Sequence, residues 1–212
     1  MEDLRLLSLP GSKYPAGAAM VPLPHDDPFH YSRLDLPRAD LWIFTYGSLM
    51  WDPAFRFKSS APALLRGYHR AFCIYSSRYR GTVSAPGLVL GLDRGGACKG
   101  KAYCIAAADV PDALEALWLR EMRRKVYVPR MLPVGIGAER QTALTFLANR
   151  CHDGYAGQLQ LDTAAAIIAA CCGERGPNVD YLLNTLSHLD ALGVHDRHLH
   201  DLLAAVRARE AC

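Results

Sequence analysis

The sequence predicts an α+β fold, and two observations carry that reading. Short apolar or alternating runs separated by Gly, Ser and Pro crowd the stretch from Leu41 to Ile105, as strands do. Helical periodicity sets in at Val110 and returns three times after residue 160. Strands gathered in one half and helices in the other mark the α+β class rather than alternating α/β units.

Along the chain, residues 1–40 come first as an irregular arm, because Pro10, Gly11, Pro15, Gly17, Pro22, Pro24, Pro28 and Pro37 leave little room for a periodic pattern. The arm is expected to wrap the domain or to fray, and residues 41–212 to form the catalytic or binding unit. Strands are expected at 41–45, 71–75, 87–92, 101–105 and 142–147. A helix is expected at 110–122, with Asp109 as its N-cap, Pro111 in its first turn and Val110, Leu114, Leu117 and Trp118 on one face. Three more are expected at 162–172, 177–192 and 196–209. The vicinal pair Cys171 and Cys172 would then pack as small hydrophobes on an apolar helix.

A chain of 212 residues that is half hydrophobic can bury one substantial core. A net charge of +3 gives no electrostatic case for nucleic acid or an anionic membrane, so a small-molecule substrate is expected. The seven cysteines form an odd set without a C-x-x-C pair, which fits a reducing compartment better than a disulfide framework or a zinc site. The first residues lack the basic and apolar regions of a secretory signal, and no run reaches transmembrane length. A cytoplasmic protein is expected, and with no apolar stripe marked for self-association, a monomer.

Two features carry chemistry. The first strand breaks into Tyr46-Gly47-Ser48-Leu49-Met50-Trp51, where Gly47 lets a ligand approach the main chain and Ser48 adds a small hydroxyl. Such a loop can cradle a carboxylate or oxyanion with its N–H groups, although a strand-Gly-Ser turn also occurs with no ligand. The second feature is Glu121, which continues the apolar stripe of the 110–122 helix at i+11 from Val110. Burial and the negative end of the helix dipole both disfavour its charged form, which suits a general acid–base; the plain alternative is an ion pair with Arg123, Arg124 or Lys125.

These segments, together with Gly67-Tyr68-His69-Arg70-Ala71-Phe72, Ser77-Arg78-Tyr79-Arg80-Gly81-Thr82, Pro86-Gly87-Leu88-Val89-Leu90, Leu119-Arg120-Glu121-Met122 and Gly176-Pro177-Asn178-Val179-Asp180-Tyr181-Leu182, resemble in order and spacing the ChaC-type γ-glutamylcyclotransferases. The likeness runs from about Leu41 to Val206, and the Arg-Glu-Met form followed by Tyr127 is similar to the bacterial branch. The resemblance implies a small mixed β-barrel flanked by helices and a cytosolic, cofactor-independent enzyme that cleaves glutathione to 5-oxoproline and cysteinylglycine. It further implies Glu121 as the catalytic acid/base, Tyr46, Gly47, Ser48, Leu49, Met50 and Trp51 as the substrate loop, a substrate-facing hydroxyl on Tyr181, and Arg80 near the substrate. No metal is implied. The chain departs from the family after Glu121, where it has Arg124-Lys125-Val126-Tyr127, and at Gly173-Glu174-Arg175-Gly176-Pro177-Asn178.

Five other readings stand beside this one. A serine hydrolase would need G-x-S-x-G around Ser48, which is absent. Cations interleaved with aromatics from Arg66 to Arg80 resemble a single-strand nucleic-acid surface, but core aromatics alternating with surface arginines on a strand give the same pattern. The His195-Asp196-Arg197-His198-Leu199-His200 run could ligate metal or be solvated. A cyclotransferase for other γ-glutamyl compounds, or a silent binding and regulatory module, shares the motifs.

Overall fold

The structure, a computed structural model, describes residues 27–210; most of the arm and Cys212 lie outside the described residues. Five strands, β1 (Leu41–Thr45), β2 (Ser59–Ser76), β3 (Gly87–Ile105), β4 (Tyr127–Ile136) and β5 (Glu139–Ala148), close into a barrel in the order β1-β3-β2-β4-β5. All neighbours are antiparallel except β1 and β5, which run parallel through Trp42↔Ala143 and Ile43↔Leu144. This is the mixed barrel that the resemblance implied.

The expected strands at 87–92 and 101–105 are the two ends of one 19-residue strand. Asp93-Arg94-Gly95-Gly96 reads as a turn, yet the positive φ values of Gly95 (100°) and Gly96 (68°) bend the strand without taking it off the ladder. Opposite them, β2 has Gly67 at φ 84° and a register shift between Arg66 and Tyr68, so both partners bend together. The strand expected at 71–75 is accordingly the last part of the 18-residue β2. β4 was not expected, because Pro129 and Pro133 argue against a strand. Both prolines sit where β4 pairs with β5, while β2 meets β4 only at 134–136.

Helix α1 (Val110–Glu121) buries Ala113, Leu114, Leu117 and Trp118 against Leu41, Ile43, Tyr103, Ile105, Leu144 and Phe146. Asp109 precedes it but makes no side-chain capping bond, since residues 107–109 already form a tight turn feeding the helix. The described end of the arm lies over the same cluster: Phe29, Tyr31, Leu34 and Leu36 pack there, and Trp118 Nε1 donates to Phe29 O at 2.8 Å. The second core joins the other side chains of the strands, Phe44, Leu65, Leu88, Leu90 and Leu92, to α2 (Leu161–Ala170), α3 (Asn178–Ala191) and α4 (Arg197–Glu210). None of the described helices is long and apolar enough to cross a membrane.

α2 stops before Cys171, which corrects the placement of the cysteine pair on a helix. Cys171 Sγ lies 3.6 Å from Ala85 O and Pro86 O, while Cys172 is exposed and opens a two-stranded ribbon, β6 (Cys172–Gly173) with β7 (Gly176–Pro177). The ribbon leads into Asn178, whose wholly buried amide acts as a piece of strand: it accepts from Leu88 N at 2.6 Å and donates to Leu88 O at 2.7 Å. This bond pair fixes the start of α3 on β3, and Tyr181 follows one turn later.

Candidate active site

A pocket opens at the end of β1 and is lined by Phe44, Thr45, Tyr46, Gly47, Ser48, Leu49, Leu90, Glu121, Tyr127, Phe146 and Tyr181. Tyr46, Gly47, Ser48, Leu49, Glu121 and Tyr181 converge on the pocket. Met50, Trp51 and Arg80 do not line it.

The loop is shaped by a tight turn over Ser48–Met50, in which Met50 N donates to Gly47 O at 2.8 Å and Asp52 N to Ser48 O at 3.0 Å. The turn's own bonds begin at Met50, so the N–H groups of Ser48 and Leu49 at its head are left to other partners. A Cβ on Gly47 would stand 3.1 Å from Tyr181 Oη, which is why this position carries no side chain. The Tyr46 side chain turns inward and donates to Phe146 O at 2.8 Å, while its carbonyl accepts from Arg70 Nε at 2.6 Å. Met50 is buried and its carbonyl accepts from Tyr103 Oη at 2.7 Å. Trp51 stacks on His188, with ring centroids 4.8 Å apart, and Arg80 lies over the Tyr181 ring at 5.7 Å while donating to Arg175 O and Pro177 O. These three form the wall behind the loop and Tyr181.

Glu121 ends α1 with a side chain only 16% exposed, and burial raises its carboxyl above the ordinary range, against the opposing charge and hydrogen bond of Arg120 and the charge of Arg175. Its partner is none of the three cations named from the sequence: Arg120 Nε stands 3.2 Å from Glu121 Oε1. The same guanidinium donates to Ser48 Oγ at 2.9 Å and pairs with Asp52 at 3.3 Å. Arg120 thus joins the carboxylate to the loop, a role the sequence did not disclose, because consecutive helical residues point about 100° apart and nothing in their spacing pairs them.

Three tyrosine hydroxyls complete the pocket. Burial holds Tyr46 and Tyr127 well above the usual phenol range and pushes Tyr181 up to about 12. All three stay protonated near neutrality, so they can donate. Tyr127, read from the sequence only as a branch marker, donates to Leu90 O at 2.8 Å. Among the described residues, the Tyr181 hydroxyl has no protein acceptor and remains a donor for a ligand. The arrangement can fold a short chain against main-chain donors, hold developing negative charge and move a proton at one carboxylate.

The rival surface readings fare differently. Arg70, taken as a surface cation, is buried and bonded to Tyr46 O, Lys99 O and Asp196, which removes it from any nucleic-acid face. The described residues hold one group able to gather a metal ion, Asp190, His195 and His200, and none of its members lines the pocket.

The fold is that of a yeast γ-glutamyl cyclotransferase specific to glutathione, with a TM-score of 0.74 at 20% identity over 80% of this chain and 96% of that one. The likeness shows that the barrel and its flanking helices have the fold of that protein. The family model described as ChaC-like protein matches residues 41–209, and the chain belongs to the ChaC-like family. It is 38% identical over 168 residues to the Escherichia coli glutathione-specific gamma-glutamylcyclotransferase, covering 79% of this chain and 73% of that protein. It is 31% identical over 210 residues to the human glutathione-specific gamma-glutamylcyclotransferase 1, covering 96% and 90% respectively.

Proposed function

We propose that the protein is a glutathione-specific γ-glutamylcyclotransferase in which Glu121 is the general acid/base. One observation carries the reading: a carboxylate only 16% exposed shares a pocket with the Gly47–Leu49 main chain and the Tyr181 hydroxyl. In a γ-glutamyl compound the α-amine and γ-carbonyl belong to one molecule. Glu121 takes a proton from the α-ammonium, the freed amine closes on the γ-carbonyl, and Glu121 returns that proton to the departing nitrogen; the ring nitrogen then gives its second proton, through Glu121, to the free amine of cysteinylglycine as it separates from 5-oxoproline. Such proton transfer contributes a factor of roughly 10²–10⁴.

Main-chain N–H groups of Ser48 and Leu49 and the Tyr181 hydroxyl meet the glutamyl chain and the oxyanion, each donor worth about 3–4 kcal/mol where it acts in the transition state. Tyr46, Gly47, Met50 and Trp51 shape that loop, and Arg80 lies over the Tyr181 ring and supports it near the substrate. The reaction as written needs no metal or cofactor, and we assign it to a cytoplasmic monomer in which residues 41–212 are the catalytic domain and 1–40 an arm.

The test is incubation with reduced glutathione, without added metal or cofactor, beside γ-glutamyl-alanine, with 5-oxoproline and cysteinylglycine read by mass spectrometry. Product from glutathione, lost in Glu121→Gln, is expected. Product only from the dipeptide would change the substrate, and product from neither would overturn the enzyme reading.

A further inference from the structure

The turn between α3 and α4 carries an arrangement that the cyclotransferase chemistry does not use. Asp190 sits in the last turn of α3, and the chain leaves the helix through Gly193 at φ 67°, with Gly193 N donating to Asp190 O and Val194 N to Leu189 O. That reversal brings His195 back beside the helix end. α4 then starts with Asp196 Oδ1 accepting from Leu199 N, and the buried Leu199 precedes the half-buried His200.

The result is a cluster drawn from three places in sequence. One ligand atom each from Asp190, His195 and His200 lies within 4.8 Å of the others. The two imidazoles stack at 4.3 Å, and His200 Nε2 points at Asp190 Oδ1 from 3.8 Å, too far for a hydrogen bond. That nitrogen is shielded from solvent yet has no hydrogen-bond partner, an arrangement proteins avoid unless something else satisfies the atom.

We infer that Asp190, His195 and His200 form a binding site for a divalent transition-metal ion of zinc's class. Two imidazoles and one carboxylate are the ligand types such ions take, with water in the fourth position. Bonds of about 2.0–2.1 Å in a tetrahedral site set the donor atoms about 3.4 Å apart. The observed spread closes to this by side-chain movement of about an ångström, and Asp190 and His195 are exposed. The bound ion clips the end of α3 to the start of α4. Between the two histidines stands Asp196, which holds Arg70 at 3.0 Å, and Arg70 in turn holds the Tyr46 carbonyl at the head of the substrate loop. None of the three ligands lines the pocket, and the ion braces the far end of that connection.

The experiment titrates the full chain with zinc chloride and follows thermal unfolding, then repeats with cobalt chloride and records the visible spectrum. At a hundredfold excess over Kd the wild type should melt about 5–10 °C higher. Cobalt should give ligand-field bands without thiolate charge transfer. His195→Ala, at an exposed position, should abolish both while leaving cyclotransferase activity without metal unchanged. His200→Gln should behave in the same way. No rise in the wild type, an equal rise in His195→Ala, or a thiolate band from the exposed Cys151 or Cys172 would overturn the site.

Discussion

Arg120 Nε stands 3.2 Å from Glu121 Oε1 although the two are consecutive on one helix, and the same guanidinium reaches Ser48 Oγ at 2.9 Å. One cation therefore both opposes the effect of burial on the carboxylate and holds the loop facing it. Arg120→Gln should raise KM, because Ser48 and Asp52 lose their anchor. It should also move the acid limb of kcat/KM to higher pH, because the charge that favours the carboxylate has gone. A rise in KM with an unmoved limb would mean that Arg120 only holds the loop.

Glu121→Gln should lower kcat by about 10²-fold or more, since the amide fills the same space and cannot accept a proton. Its effect on stability has the opposite sign. Folding raises the Glu121 pKa, so the native state keeps a proton that the unfolded chain releases first. The stability this gives is complete below the unfolded value and lost as pH rises through the folded one. The melting temperature of Glu121→Gln relative to wild type should therefore climb as pH rises above the ordinary glutamate range, as thermal scans from acid to neutral pH would show.

Gly47→Ala places a methyl 3.1 Å from Tyr181 Oη, so Tyr181 must give way. Activity should fall by about tenfold or more, as a small misplacement of a positioned group commonly costs. In a Tyr181→Phe background, where the oxygen is absent, the further loss from Gly47→Ala should be smaller than in the wild type. Equal losses in both backgrounds would place the damage in the loop itself.

Arg70 is 2% exposed and donates to Tyr46 O, Lys99 O and Asp196. Arg70→Met strands a partly buried carboxylate and two carbonyls, and should cost about 3–5 kcal/mol in urea unfolding. Arg70→Met with Asp196→Asn should recover part of that loss, because the unpaired charge is then absent.

Much of the site was legible because its signals are local. Gly47 and Ser48 break an apolar strand, and Glu121 falls on an apolar stripe, so each is out of place by a rule that needs only neighbours. The helices were legible for the same reason, α3 and α4 to within a residue or so at each end. What stayed hidden depends on partners far away in sequence. Gly95 and Gly96 look like a turn until β2 bends beside them through Gly67, and the prolines of β4 argue against a strand until β5 supplies a full ladder along one edge. Arg70 looks like a surface cation until Asp196 arrives from 126 positions later in the chain. Arg120 was quoted in a motif but its role needs the loop folded against α1.

The parallel pairing of β1 with β5 governs when the protein can work as it leaves the ribosome. Tyr46 donates to Phe146, 100 positions later, so the strand that ends in the substrate loop emerges early and has no neighbour on that side until about two-thirds of the chain is made. Until then β1 offers a bare edge, the kind of surface that draws strands from other chains. Arg70 waits longer still for Asp196. A nascent chain therefore carries the substrate loop and Glu121 well before it can hold them in place, and turnover begins only once Tyr181 and Asp196 have been delivered.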